Sequence, residues 1–177
     1  MSSTRAFARY SPIWLTVTAL FMAMNIALSS VGIPVPGGHF YLCDAVICTA
    51  AILLDPLSAF IVGGVGSFLG DLFFYPAPMF VSLVTHGLQA AVISLCVRHI
   101  RLRREVFGAI IGVTLGAVVM VTGYTLGRAY IYATPAYAVL KLPYEILQAA
   151  VGAAAGVVLC YNAHLKEIFE NRLLRKR

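Results

Sequence analysis

The chain has 177 residues, 60% of them hydrophobic and only 11% charged. A soluble domain carries roughly 25% charged residues, so this one lacks the polar side chains to cover a water-facing surface, and a soluble globule is excluded. The formal net charge of +6 follows from basic residues placed between apolar runs and needs no nucleic acid to explain it.

The length suits six spans of roughly 20 residues joined by short loops. Apolar runs predict helices over about 11–31, 41–54, 56–73, 79–97, 106–126 and 143–161. Together they form an all-α membrane protein, with residues 1–177 as one integral membrane domain. Breakers separate the runs: Pro34, Pro36-Gly37-Gly38, Asp55-Pro56, Pro76, Pro78, the charged stretch 98–105, and Pro135. The second run is short for a perpendicular crossing, so it should lean on protein rather than lipid. Asp55 before Pro56 reads as the cap of the third helix. Cys43, Cys48, Cys96 and Cys160 lie in apolar runs without CxxC or Cys/His spacing. They read as small buried side chains, with no metal or cofactor expected.

Orientation follows from the basic residues. With the N-terminus inside, Arg5, Arg9, Arg98, Arg101, Arg103, Arg104, Lys166, Arg172, Arg175, Lys176 and Arg177 are cytoplasmic, and only Arg128 and Lys141 lie outside. Both termini are then cytoplasmic, in a multi-pass protein of the cell membrane whose basic loops face anionic lipid headgroups. The first run is expected to be a span rather than a cleaved signal, because it is long and further spans follow.

This orientation gathers the intramembrane polar residues into one outward-facing layer. His39 lies in the first external loop, residues 32–40, Tyr41 follows it, and Asp44 lies one turn into the second helix. Asp71 closes the third helix, His86 and Gln89 lie in the fourth, Tyr124 and Arg128 end the fifth, and Tyr144, Glu145 and Gln148 begin the sixth. Ionisable residues at such depth usually face a bundle interior or a watery cavity. Asp44, Asp71, Arg128 and Glu145 could each pair with headgroups instead, but His86 has no interface to reach. Tyr75, Tyr130, Tyr132 and Tyr137 fall in the same layer, as an interfacial belt or as pocket walls. Rings with a few convergent polar groups suit a small organic ligand. HExxH, GxSxG and Walker motifs are absent, so neither catalysis nor ATP hydrolysis is expected.

Small residues form a second pattern. Ala19, Ala23 and Ala27 lie four apart on one helix face, and Gly63, Gly64, Gly66, Gly70, Gly108, Gly112, Gly116, Gly152 and Gly156 line others. Such stripes permit close helix contact, within the bundle or with a partner subunit.

The alanine-striped first helix, the Gly-rich loop into "HFYLCDAV", then "AILLDPLSAFIVGGVGSFLGDL" and "SLVTHGLQAAV" resemble the substrate-binding S component of an energy-coupling factor (ECF) vitamin transporter. The resemblance covers roughly residues 19–95, and the second half matches in topology alone. It implies a six-helix bundle that takes a water-soluble vitamin from outside. The bundle would dock on a membrane coupling subunit carrying two cytoplasmic ATPases. On that resemblance Ala19, Ala23 and Ala27 match the docking face, the segment from Gly38 to Asp44 matches the substrate cap, and His86-Gly87 matches the fourth-helix motif. Asp55 departs from it, since relatives usually have glycine there. Pantothenate, a pyridoxine-like compound and cobalamin are the first candidates, with riboflavin behind. The alternative is a stand-alone secondary transporter or channel, which would be expected to show inverted halves with broken helices; no convincing internal repeat is visible.

Overall fold

The computed structural model describes residues 11–100 and 105–171. The remaining basic positions used for orientation (Arg5, Arg9, Arg101, Arg103, Arg104, Arg172, Arg175, Lys176 and Arg177) lie outside them. Helix α1 spans Pro12–Ser29, with Pro12 in its first turn and Ser11 as N-cap, whose side chain accepts from the Trp14 N–H. A short antiparallel hairpin follows, strand β1 (Gly32–Val35) against β2 (Gly38–Tyr41). The external loop expected here is therefore a paired ribbon, a small exception to the all-α plan. Its turn places Pro36 before Gly37, whose φ of 80° is the left-handed value that the second central position of a type II turn requires.

Helix α2, Cys43–Leu53, has eleven residues, ten of them buried. At 1.5 Å per residue it rises about 16 Å, roughly half the hydrocarbon thickness. It crosses the interior wrapped by other helices, as a short apolar run must.

Helix α3, Pro56–Phe74, is capped by Asp55, whose side chain accepts from the N–H groups of Leu57 and Ser58. A π turn at Ile61–Val65 interrupts it. Widening the helix there disturbs the regular carbonyl ladder, and the Val62 carbonyl accepts the side-chain amide of Asn25 at 2.7 Å. The glycines of α3 face two ways. A Cβ on Gly63 or Gly64 would lie 2.5 Å from the His86 carbonyl or 2.7 Å from that of Leu83, while Gly66 and Gly70 abut Asn25 and Ser29 of α1.

Helix α4 covers Met79–His99, α5 Glu105–Tyr132, and α6 Pro135–Asn162, followed by a single short turn, α7, at Leu165–Phe169. Gly112, Gly116, Gly123 and Gly127 seat α5 against Ile93, Thr85 and Val81 of α4, and Gly152 and Gly156 seat α6 against Asp44 and Cys48 of α2. Among the described residues five helices, α1 and α3 to α6, are long and apolar enough to cross a membrane.

Two boundaries differ from expectation. The fifth span continues past residue 126 to Tyr132, and the sixth begins at Pro135 instead of residue 143. Pro143 reads in sequence as a first-turn proline, yet Pro135 holds that place, with the Thr134 side chain accepting from the Tyr137 N–H. Pro143 lies two turns inside, on the exposed side of the helix, where it removes one backbone hydrogen bond.

The core divides along the bundle. Away from the hairpin it is apolar: Ile47, Ala50, Ala51, Ala59, Val62, Ala90 and Ile93 pack together. Toward the hairpin a smaller cluster of Val81, Met120, Tyr124 and Ala149 gives way to polar side chains and open space.

Candidate binding cavity

A cavity of about 340 Å³ lies beneath the hairpin. Its walls come from almost every long element. The hairpin and the start of α2 give Gly37, Gly38, His39, Tyr41 and Cys43. Helices α1 and α3 give Ser29, Ser67 and Asp71, joined by Tyr75. Pro78 and His86 come from α4 and its approach. Tyr124, Arg128, Tyr132 and Ala133 close one side, and Tyr137, Glu145 and Gln148 of α6 the other.

The charged groups sort into two sets. On the α5–α6 side Arg128 donates to Glu145 at 2.9 Å, and Lys141, one turn before Glu145, holds its ammonium 3.4 Å from the same oxygen. Arg128 also lies 5.5 Å over the Tyr132 ring. Lys141 is only 1% exposed, because the hairpin turn rests on it: a Cβ on Gly37 would sit 3.0 Å from the Lys141 backbone and side chain. On the other side the Ser82 hydroxyl donates to Asp71, and the Tyr124 and Ser82 hydroxyls are 2.5 Å apart. An ionised carboxylate only accepts, so Ser82 gives its proton to Asp71 and Tyr124 donates to Ser82.

Between the two sets lies a buried chain of amides. Asp44 accepts from Gln89 Nε2 at 3.0 Å and from Gln148 Nε2 at 2.7 Å. The far ends of those amides are carbonyl oxygens. Gln148 Oε1 accepts the Tyr41 backbone N–H at 3.1 Å, tying the hairpin to α6, and Gln89 Oε1 lies 2.6 Å from His86 Nδ1. His86 Nδ1 is 3.7 Å from Asp44, beyond hydrogen-bond reach. Its ring stands edge-on to Tyr124 at 5.1 Å. Ligating atoms of Cys43, Asp44 and His86 fall within 4.8 Å of one another. Both oxygens of Asp44 and Nδ1 of His86 are already engaged by glutamine amides, so these residues read first as a hydrogen-bond network.

Of the residues singled out in sequence, His39, Tyr41, Asp71, His86, Tyr124, Arg128 and Gln148 meet at this cavity. Asp44 and Gln89 stand behind its wall, each 1% exposed, because Gly152 admits Asp44 into the α2–α6 contact. Tyr144 is displaced from it: Glu145 and Gln148, three residues apart, share the inward helix face, and Tyr144 is turned about 100° from its neighbour. Sequence reasoning passed over Lys141 as a loop residue, and left out Ser29, Ser67 and Ser82, which carry no charge to mark them. The early start of α6 brings Lys141 and Tyr137 under the hairpin; the cap-like Thr134-Pro135 was the available signal.

Ala19, Ala23 and Ala27 are all exposed on α1, whereas Trp14, Thr18, Asn25 and Ser29 face inward. The stripe is thus not consumed by packing within the described residues.

Comparison with known proteins adds an independent line. Residues 10–166 match the model of the family described as "ECF-type riboflavin transporter, S component". An "Uncharacterized protein in gap 3'region" of Pyrococcus woesei is 33% identical over 142 residues, 78% of this chain and 93% of that protein. A "UPF0397 protein" of Lactococcus lactis subsp. cremoris is 30% identical over 90 residues, and the match spans about half of each chain, 51% of this one and 49% of that one.

Proposed function

We propose that this chain, which belongs to the ECF-type riboflavin transporter S component family and is a transmembrane transport subunit, binds a flat nitrogen-heterocyclic vitamin bearing hydroxyl groups. One observation carries this reading: a cavity of about 340 Å³ walled by aromatic rings, with carboxylate, guanidinium, imidazole and amide groups converging on it. Rings offer faces to a flat ligand, and the polar groups fix its orientation. Riboflavin, named in the family description, and a pyridoxine-like compound both have that form. Pantothenate has no ring to stack. Cobalamin is the poorest candidate, since the cavity is at the small end of ligand sites, which span about 300–1,000 Å³.

The hairpin faces the outside and the termini the cytoplasm, so ligand enters under the ribbon with Pro36-Gly37-Gly38 as its cap. The protein works in the cell membrane on a coupling subunit and two ATPase subunits. Exposure of Ala19, Ala23 and Ala27 supports docking through that face, where small side chains let a partner helix approach closely. The test is calorimetric titration of the purified protein with riboflavin, pyridoxine and pantothenate, alongside mass spectrometry of whatever small molecule purifies with it. Saturable binding of riboflavin or pyridoxine but not pantothenate supports the proposal; binding of pantothenate alone overturns it.

A further inference from the structure

The buried chain Asp44–Gln89–His86 has a direction, and that direction fixes what the cavity can recognise. Asp44 as a carboxylate can only accept, so Gln89 must turn its –NH₂ toward it. Gln89 therefore turns its carbonyl oxygen toward His86, 2.6 Å from Nδ1. A carbonyl oxygen also only accepts, so the proton between them belongs to Nδ1. A neutral imidazole carries one proton, which leaves Nε2 with a lone pair. Gln148, the second amide on Asp44, holds that carboxylate from the opposite side and spends its own carbonyl on the Tyr41 N–H. Neither amide can reverse without setting an –NH₂ against a donor or a carbonyl oxygen against the carboxylate. Buried reversals of that kind forfeit hydrogen bonds that no water replaces.

We infer that Asp44 and Gln89 are positioning residues that lock His86 as the Nδ1–H tautomer, so that Nε2 reads a hydrogen-bond donor, an N–H or O–H, on the ligand. This rests on the binding role proposed above, and makes it more specific. The ligand must turn a donating edge toward His86. Arg128, on the α5–α6 side of the cavity, supplies donors for an accepting edge.

The experiment uses the full chain in lipid nanodiscs, labelled with ¹⁵N-histidine. The sequence has four histidines, and the His86 signals are identified by their loss in His86→Asn. At neutral pH the ligand-free protein is expected to show a protonated Nδ1 and an unprotonated Nε2 at His86. Adding riboflavin or pyridoxine, whichever binds, should move the Nε2 resonance in the direction of hydrogen-bond acceptance. In Asp44→Asn the amide chain loses its fixed direction. His86 should then show both tautomers, and affinity should fall about tenfold or more although Asp44 does not line the cavity. A purely structural role for Asp44 would lower affinity without changing the tautomer.

An Nε2–H or doubly protonated His86 in the free wild-type protein overturns the inference, whether or not the variant folds. An Nε2 signal that stays put on saturation overturns the donor-reading role. The assigned tautomer without binding of either compound leaves the lock standing and overturns the vitamin reading alone.

Discussion

The two ends of the bundle bury the same kinds of side chain and put them to opposite uses. At the end away from the hairpin, Asp55 accepts from the Trp14 indole at 2.6 Å, from the Ser58 hydroxyl at 2.7 Å and from two backbone N–H groups. Ser94 donates to the Leu54 carbonyl, and Lys166 pairs with Glu105. Those groups satisfy one another and tie neighbouring helices together. At the hairpin end Asp71, Arg128, Glu145 and His86 are also bonded, yet each keeps an atom on open space. A buried polar group stabilises when its bonds close within the protein. It becomes available for recognition when one is left for a ligand.

Four measurements break or sharpen this contrast. The largest effect is expected outside both ends, on the exposed stripe of α1. Ala23→Trp should abolish vitamin uptake by cells that carry the whole transporter, with ligand affinity of the isolated protein within about twofold. If binding is lost as well, the stripe serves internal packing and not docking.

Next, Asp55→Ala should remove a helix cap and take away the carboxylate that accepts from the Trp14 indole and the Ser58 hydroxyl. A cost of about 2–4 kcal/mol follows from those losses, read as a fall in the thermal midpoint in detergent, again with near-normal affinity. A large loss of affinity at unchanged stability would show that the far end is not merely structural.

At the hairpin end the readouts exchange places. His86→Ala and Tyr41→Phe should each weaken binding by roughly 1–3 kcal/mol while the thermal midpoint moves little. Unchanged affinity in both places the ligand elsewhere.

The smallest effect is in pH. Burial raises the Asp55 pKa, but the hydrogen bonds from Ser58, Trp14 and the Ser58 and Leu57 backbones outweigh it and hold it below its ordinary value of 3.8. A lowered folded-state pKa gives stability that is complete above the unfolded value and lost as pH falls through the folded one. The stability gap between wild type and Asp55→Asn should therefore be constant at pH 5–7 and narrow below about pH 4. A gap that widens on acidification would mean the carboxylate is not the group stabilised.

Much of the architecture is legible in the sequence. Apolar runs and breakers located the helices, because a chain so poor in polar residues can be punctuated only by proline, glycine and charge. The short second run and the Asp55 cap followed from length and residue type. Pro143 misled, because first-turn and mid-helix prolines look alike in sequence and differ only in what surrounds them. Pairing in the hairpin depends on a Pro-Gly turn flanked by segments too short to show alternation. The layer of polar residues was legible as a layer, but which member faces the cavity was not. Asp44 and Tyr144 fall on the expected stretch of chain, and only helix phase separates a residue behind the wall, or turned from it, from one in it.

The π turn in α3 has a mechanical consequence. Asn25 of α1 donates to the Val62 carbonyl and to the Ser67 hydroxyl, in a place where no solvent can take over either bond. Close contacts of Gly66 with Asn25 and of Gly70 with Ser29 continue the attachment along the two helices, toward the turn that carries Asp71. Sliding α1 along α3 would break these ties together, so the pair moves as one lever. A displacement of α1 would therefore be expected to carry α3 with it, and with α3 the stretch that brings Asp71 to the wall of the cavity.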